Sequence, residues 1–382
     1  MNLSRGNQIE LLQSGGEFFP ALCEAIAGAQ QLVHLETYIF ALDETGQRIS
    51  AALCAAARRG VSVRLVIDGF GSRSFVDSQL DALTAAGVEV MVFRREISLL
   101  SLRRQRLRRL HRKLACIDGR LAFVGGINII DDHDTPGQTP PRFDYAIRID
   151  GPLAQQVRQT QENLWRTLRW SQLRSRTHAH AIKLPAPSHA GKIQARLVLR
   201  DNLRHRRDIE DAYLEAIAHA RHEILIANAY FLPGRRFRNA LLEARQRGVR
   251  VTLLLQGRVE YWLLHHACNA LYPQLMAAGI RIVEYRKSFL HAKVAVIDDN
   301  WATVGSSNID PFSLALAREA NVIILNADFC HKLRSSLQAA IADGGHELSA
   351  NHWQTLPPLR RLLSWTAYSL LRWLAERLAP PH

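Results

Sequence analysis

Two stretches of this 382-residue chain repeat residue types that can do chemistry together: HRKLACIDGRLAFVGGIN from His111 and HAKVAVIDDNWATVGSSN from His291. Each sets a lysine two residues after a histidine, an aspartate five residues further on, and then Gly-Gly-x-Asn or Gly-Ser-x-Asn. Strand alternation puts His291 and Lys293 on one face, as it does His111 and Lys113, so imidazole and ammonium point the same way. A turn at Asp118-Gly119 or Asp298-Asp299 lets the next strand return beside the first. It delivers Asn128 or Ser306 and Asn308 close to the pair, and Gly125, Gly126 and Gly305 permit close backbone approach. A lone His-x-Lys pair is more often a solvent-facing hairpin than a site. Two copies inside a larger duplication argue for one shared cleft, with the halves joined about a pseudo-twofold axis. Such a cleft suits a phosphodiester: ammoniums and amides neutralise the phosphoryl oxygens, one imidazole attacks phosphorus and the other protonates the departing alkoxide. Neither a metal ion nor any other cofactor is then required.

The positioning elements repeat as well. AIAGAQQLVHLETYIF from Ala25 answers AIAHARHEILIANAYF from Ala216. AAARRGVSVRLVIDG from Ala55 answers LEARQRGVRVTLLLQG from Leu242, each a helix closed by Gly60 or Gly248 and followed by an apolar strand. AAGVEV and AAGIRI follow before the two histidine stretches. Each half reads helix, strand, helix, strand, helix, strand, strand, which predicts α/β architecture: two similar halves with mixed sheets. The expected division is a first half over 1–170, a linker over 171–192, a second half over 193–350 and a tail over 351–382. The linker lacks apolar periodicity, and its His178, His180 and His189 read as solvated rather than metal-binding.

The 49 lysines and arginines against 35 acids give a net charge of +14, which favours anionic partners. The five cysteines are scattered without a C-x-x-C pair and read as reduced core residues. The N-terminus lacks the pattern of a signal peptide, and no window reaches the roughly 18 apolar residues needed to span a bilayer. A peripheral protein on the cytoplasmic face of the inner (cell) membrane is expected.

The repeated residues resemble the two HKD motifs of the phospholipase D superfamily. The resemblance implies a catalytic set of His111, Lys113, Asp118, His291, Lys293 and Asp298, in which the aspartates support rather than react. It further implies an acid beyond each motif that orients the histidine, for which Asp144 and Glu319 are the positional candidates, and a phosphohistidine intermediate with His111 as nucleophile. LETYIF, LVIDGFGS, DYAIRIDGP and WATVGSSNIDPFSLALAREANVII are similar to the short, type B group of bacterial cardiolipin synthases. That similarity implies transfer of a phosphatidyl group from one phosphatidylglycerol to another. The superfamily also holds nucleases, hydrolytic phospholipases and other phosphatidyltransferases. A nucleic-acid partner is not expected, because no aromatic-interleaved basic groove is evident. A non-catalytic anion-binding scaffold fits poorly, since both histidines and both lysines are present.

Two segments suggest membrane contact. Between residues 94 and 109, seven arginines alternate with leucines directly before His111, as a basic lid for anionic headgroups would. The tail from Leu359 repeats leucine at helical spacing, with Arg360, Arg361, Arg372 and Arg377 as cations and Trp365, Tyr368 and Trp373 as amphipathic rings. Prolines bracket it, and Arg361 and Arg372 interrupt the apolar run. It reads as a helix lying in the membrane interface, or else as one packed on the protein's own core, since the same stripe would serve both.

Overall fold

In the computed structural model the described residues are 3–94, 108–135, 139–171, 189–201, 205–259, 262–310, 317–349 and 357–378. The first half runs β1 (Ser4–Gln13), α1 (Ser14–Gly28), β2 (Leu32–Thr37), α2 (Glu44–Arg58), β3 (Ser62–Asp68), α3 (Arg73–Ala85), β4 (Glu89–Phe93), β5 (Arg109–Leu110), β6 (Lys113–Ile117), β7 (Leu121–Gly125), β8 (Tyr145–Asp150) and α4 (Leu153–Ser171). The second runs β9 (Ile193–Arg200), α5 (Asp208–His219), β10 (Glu223–Asn228), α6 (Arg235–Gln246), β11 (Arg250–Gln256), α7 (Trp262–Asn269), α8 (Tyr272–Ala277), β12 (Arg281–Tyr285), β13 (Lys293–Ile297), β14 (Trp301–Gly305), β15 (Ala317–Leu325), α9 (Ala327–Gly344) and β16 (Gly345–Glu347). A last helix, α10, covers Pro358–Leu378.

Strand order repeats with the sequence. The first half is ordered β1-β8-β7-β6-β2-β3-β4 and the second β9-β15-β14-β13-β10-β11-β12, with β16 on the outer edge. The helical crossovers make β2, β3 and β4 parallel, whereas the tight turn between β6 and β7 makes that pair antiparallel. The two halves meet where β1 pairs antiparallel with β9, through Ser4 with Ala195 and Asn7 with Ile193. These first strands were not legible as strands in the sequence, and they are what joins the halves side by side.

Alternation along each motif strand sorts its side chains between cores. Val294 and Val296 of β13, like Leu114 and Cys116 of β6, enter a central cluster shared by both halves, which also takes Leu153 and Val157 of α4 and Leu333 and Leu337 of α9. The intervening Ala115 and Ile117 enter an outer core under α1, α2 and α3, and Ala295 and Ile297 enter another under α5, α6 and α8. Both faces of the motif strands are therefore packed, so the residues at their ends are held with little freedom. Gly60 and Gly248 adopt φ of +88° and +89° after α2 and α6, the left-handed closure expected of them.

Candidate active site

The two motif histidines line a single cavity of about 380 Å³, together with Asn128, Asn308, Asp144, Tyr38, Tyr230 and Phe289 among others. That volume is of the size that holds a small ligand. Each histidine stands two residues before its strand and is fixed by the opposite half. The His111 amide donates to Arg318 O at 3.0 Å, and its Nδ1 lies 2.9 Å from Glu319 Oε1. The His291 amide donates to Phe143 O at 2.8 Å, and its Nδ1 lies 2.6 Å from Asp144 Oδ2. Both acids predicted from the sequence are thus at the site, but exchanged: each serves the histidine of the other motif. With Nδ1 directed at a carboxylate, each Nε2 is left for chemistry.

The remaining motif residues divide. Lys113 and Lys293 are buried and donate to the carbonyls of His111, at 2.6 Å, and His291. Asn128 accepts from Ile39 N at 3.2 Å, and Asn308 is buried at the cavity wall. Ser306 donates to Glu319 Oε2 at 2.5 Å. Gly126 takes the corresponding place in the first motif, where a Cβ would come within 2.4 Å of the Asp144 carboxylate. A serine steadies one acid, and the absence of a side chain makes room for the other.

Asp118 and Asp298 lie elsewhere. They close the far ends of β6 and β13, about 17 Å along the strand from each lysine. Asp118 accepts from the amides of Gln30, Gln31 and Leu32, and Asp298 from those of Arg221, His222 and Glu223, at 2.8–2.9 Å. They pin the turn to the strand beside it and touch nothing in the cavity, so any support they give the motif is structural. Alanine at Asp298 is expected to cost about 2–3 kcal/mol of stability, because three amides lose a charged acceptor. Chemical denaturation should show this loss, while turnover of the protein that remains folded falls far less than for any change at the cavity.

Burial governs the charges. It pulls the Lys113 ammonium down to about 7, opposed by Glu319 and reinforced by Lys293. Burial, with Lys293 beside it, holds the His291 imidazole at about 3 although Asp144 pulls the other way. The pKa of His111 is lowered too, by burial against the pull of Glu319. Near neutral pH both imidazoles are thus uncharged bases. An anion beside them would favour the protonated forms of both imidazoles and of Lys113. Among the described residues, one trio of candidate metal ligands, Asp131, Asp132 and His133, brings its atoms within 4.8 Å of one another. Its Asp132 carboxylate already receives the Gly15 amide at 2.8 Å.

The family described as "Cardiolipin synthase, PLD-like domain" matches residues 22–165 and 213–341. This chain belongs to that family. Among its relatives, the cardiolipin synthase B of Escherichia coli (strain K12) is 43% identical over 341 residues, covering 88% of this chain and 81% of that one. The cardiolipin synthase B of Salmonella typhi is 43% identical over 342 residues, with the same coverage. The crystal structure of phosphatidylserine synthase from Haemophilus influenzae Rd KW20 superposes with a TM-score of 0.65 at 15% identity, over 97% of this chain and 93% of that one. The shared fold is thus a phospholipase D-like one, in agreement with the two-half α/β architecture expected from the sequence.

For this member of the cardiolipin synthase family, the cavity adds residues that motif spacing did not reveal. The Tyr38 ring lies 4.9 Å from that of His111, with Lys113 Nζ 5.5 Å from the tyrosine centroid. Phe289 stacks on His291 at 6.0 Å, and Arg142 lies over Phe289 at 5.0 Å. Tyr38 could have been found from its place at the end of a strand in the duplicated LETYIF. Arg142 and Phe289 sit in irregular stretches that carry no periodic signal. Of the arginine-rich segment, 95–107 lies outside the described residues, as do 172–188 of the linker with His178 and His180. His189 is described and exposed.

Proposed function

We propose that this protein is a cardiolipin synthase that joins two phosphatidylglycerol molecules and releases glycerol. The observation that carries this reading is the crossed pair of histidine–carboxylate contacts opening on one cavity, with a buried lysine held to the backbone of each histidine. His111 Nε2 attacks the donor phosphorus, forming a P–N bond as the P–O bond to glycerol breaks, and His291 supplies the proton that glycerol takes away. His291 then removes the proton from the terminal hydroxyl of the second phosphatidylglycerol. That oxygen attacks phosphorus and the P–N bond breaks, restoring His111. Lys113, Lys293, Asn128 and Asn308 supply positive charge and hydrogen bonds to the phosphoryl oxygens, so the scheme needs no metal. The test is incubation with labelled phosphatidylglycerol in EDTA, followed by lipid chromatography. Labelled cardiolipin and free glycerol in equal amounts are expected. Phosphatidic acid alone would make the protein a hydrolase, and strict dependence on a divalent ion would refute the metal-free scheme.

The substrates lie in a membrane, and no helix among the described residues is long and apolar enough to cross one. Peripheral attachment is proposed through α10, whose leucine stripe is divided between two surroundings. Ser364, Ala367 and Leu371 are buried, the latter two in the outer core of the second half. Leu359, Leu362, Trp365, Leu370 and Trp373 are exposed on the other side, near the exposed Arg372 and Arg377. Indole rings and leucines flanked by arginines suit the interface of an anionic bilayer. The packed face means that removing the helix would uncover core, so polar substitution of the outer face is the cleaner test. Serine at Leu362, Trp365, Leu370 and Trp373 together is expected to weaken sedimentation on phosphatidylglycerol vesicles about tenfold or more, with the melting temperature held. Undiminished binding would move the membrane contact to another surface, with the segment over 94–109 the next to test.

A further inference from the structure

The two ends of the cavity are related by the same exchange as the motifs, and they depart from symmetry in one respect. Arg142 and Ala317 correspond, two residues before Asp144 and Glu319. Phe289 and Arg109 correspond, two residues before His291 and His111. All four line the cavity. At the His111 end, Arg109 lies 3.8 Å from the buried Asp68 carboxylate, and Ala317 adds no charge. At the His291 end, Arg142 lies over Phe289, which in turn stacks on His291. Among the described residues, the only hydrogen bond of this guanidinium is from Nη2 to Asp134 O at 3.0 Å. Its Nε is buried without a partner, and no described carboxylate lies within ion-pair distance. Asp132, an acid that also lines the cavity, is occupied by the Gly15 amide and by His133 at 3.3 Å.

A buried guanidinium nitrogen without a partner is costly unless an anion completes it. The reacting phosphate already has both histidines and both lysines. If the site is the phosphatidyltransferase proposed above, a second phosphate must also be accommodated: that of the accepting lipid. The two phosphorus atoms of the product are joined through P–O–C–C–C–O–P, six bonds. Two residues of extended backbone also contain six bonds, a span of about 7 Å. Arg142 stands two residues before Asp144 in an extended stretch whose Phe143 bridges Leu290. It thus starts about 7 Å along the chain from the residue whose carboxylate contacts His291, and both line the cavity.

We propose that Arg142 binds the non-reacting phosphate of the accepting phospholipid, and so favours a phosphate-bearing alcohol over water in the second step. Arg142 takes no part in bond making. The acceptor oxygen forms the new P–O bond, the P–N bond to His111 breaks, and the proton passes to His291.

The experiment compares the full-length protein with Arg142→Gln and Arg142→Lys on labelled phosphatidylglycerol in detergent micelles. Cardiolipin, phosphatidic acid and exchange with free labelled glycerol are all measured. The ratio of cardiolipin to phosphatidic acid is expected to fall about tenfold or more in Arg142→Gln, and less in Arg142→Lys, which keeps the charge without the planar fork. Exchange with glycerol, an alcohol without a second phosphate, should not lose ground to hydrolysis. An unchanged ratio overturns the proposal, and so does a proportional loss of all three products. Failure of the unaltered protein to make cardiolipin refutes the underlying function instead.

Discussion

Alanine in place of His111 or His291 is expected to lower turnover about 10,000-fold or more, because in the proposed scheme each removes a group that makes or breaks a bond in both half-reactions. The two losses should differ in kind. A donor lipid whose leaving group is p-nitrophenolate needs no proton from His291, so its first step isolates attack by His111. With that donor, His291→Ala should still form a labelled protein, detected after an alkaline quench that preserves a phosphohistidine, and should discharge it slowly. His111→Ala should form none. Label that depends on His291 and not on His111 would reverse the roles. Undiminished turnover in both variants would end the two-histidine scheme.

The residues that make this prediction possible were readable because they repeat. His111, Lys113, His291 and Lys293 stand at strand starts whose alternation is clear from sequence, and burial on both faces of β6 and β13 keeps them there. The family's implied acids, Asp144 and Glu319, were readable by position as well. Their exchange was not. It arises from the short parallel pairing of Arg109 and Leu110 with Ala317 and Arg318, and from the matching bridge between Phe143 and Leu290. Contacts of only one or two residue pairs leave no periodicity in a sequence. The same holds for Arg112, whose guanidinium pairs with Glu36 at 2.5 Å in the buried interior of the first half. The corresponding positions of the second half are Ala292 and Ala227, so comparing the halves flags an asymmetry without revealing that the two polar residues meet. The tail was legible as a helix. Which of its leucines would pack was decided by the neighbouring helix α7, whose position depends on the whole second half.

The exchange has a kinetic consequence that separates it from an arrangement in which each acid serves its own motif. Glu319→Gln retains a hydrogen-bonding group beside His111 Nδ1 but removes the charge that favours the imidazolium forming as His111 acts. Asp144→Asn does the same to His291. Neutralising the carboxylate of a histidine–acid pair costs about 10,000-fold where the histidine gains positive charge. Glu319→Gln, although it lies beyond the second motif, should therefore slow formation of the labelled protein from the p-nitrophenol donor. Asp144→Asn, beyond the first motif, should slow its discharge to the acceptor alcohol. The alkaline limb provides an independent check. Glu319 raises the pKa of Lys113 against the burial that brings it to about 7. Without that carboxylate the lysine should lose its proton at lower pH, moving the fall of kcat/KM with rising pH toward acid. Asp144 also supports Lys113, but behind Glu319, so the shift should be smaller in Asp144→Asn. A Glu319→Gln protein that forms the intermediate at the normal rate and is slow only in discharge would show the glutamate serving His291 in solution, contrary to its 2.9 Å contact with His111.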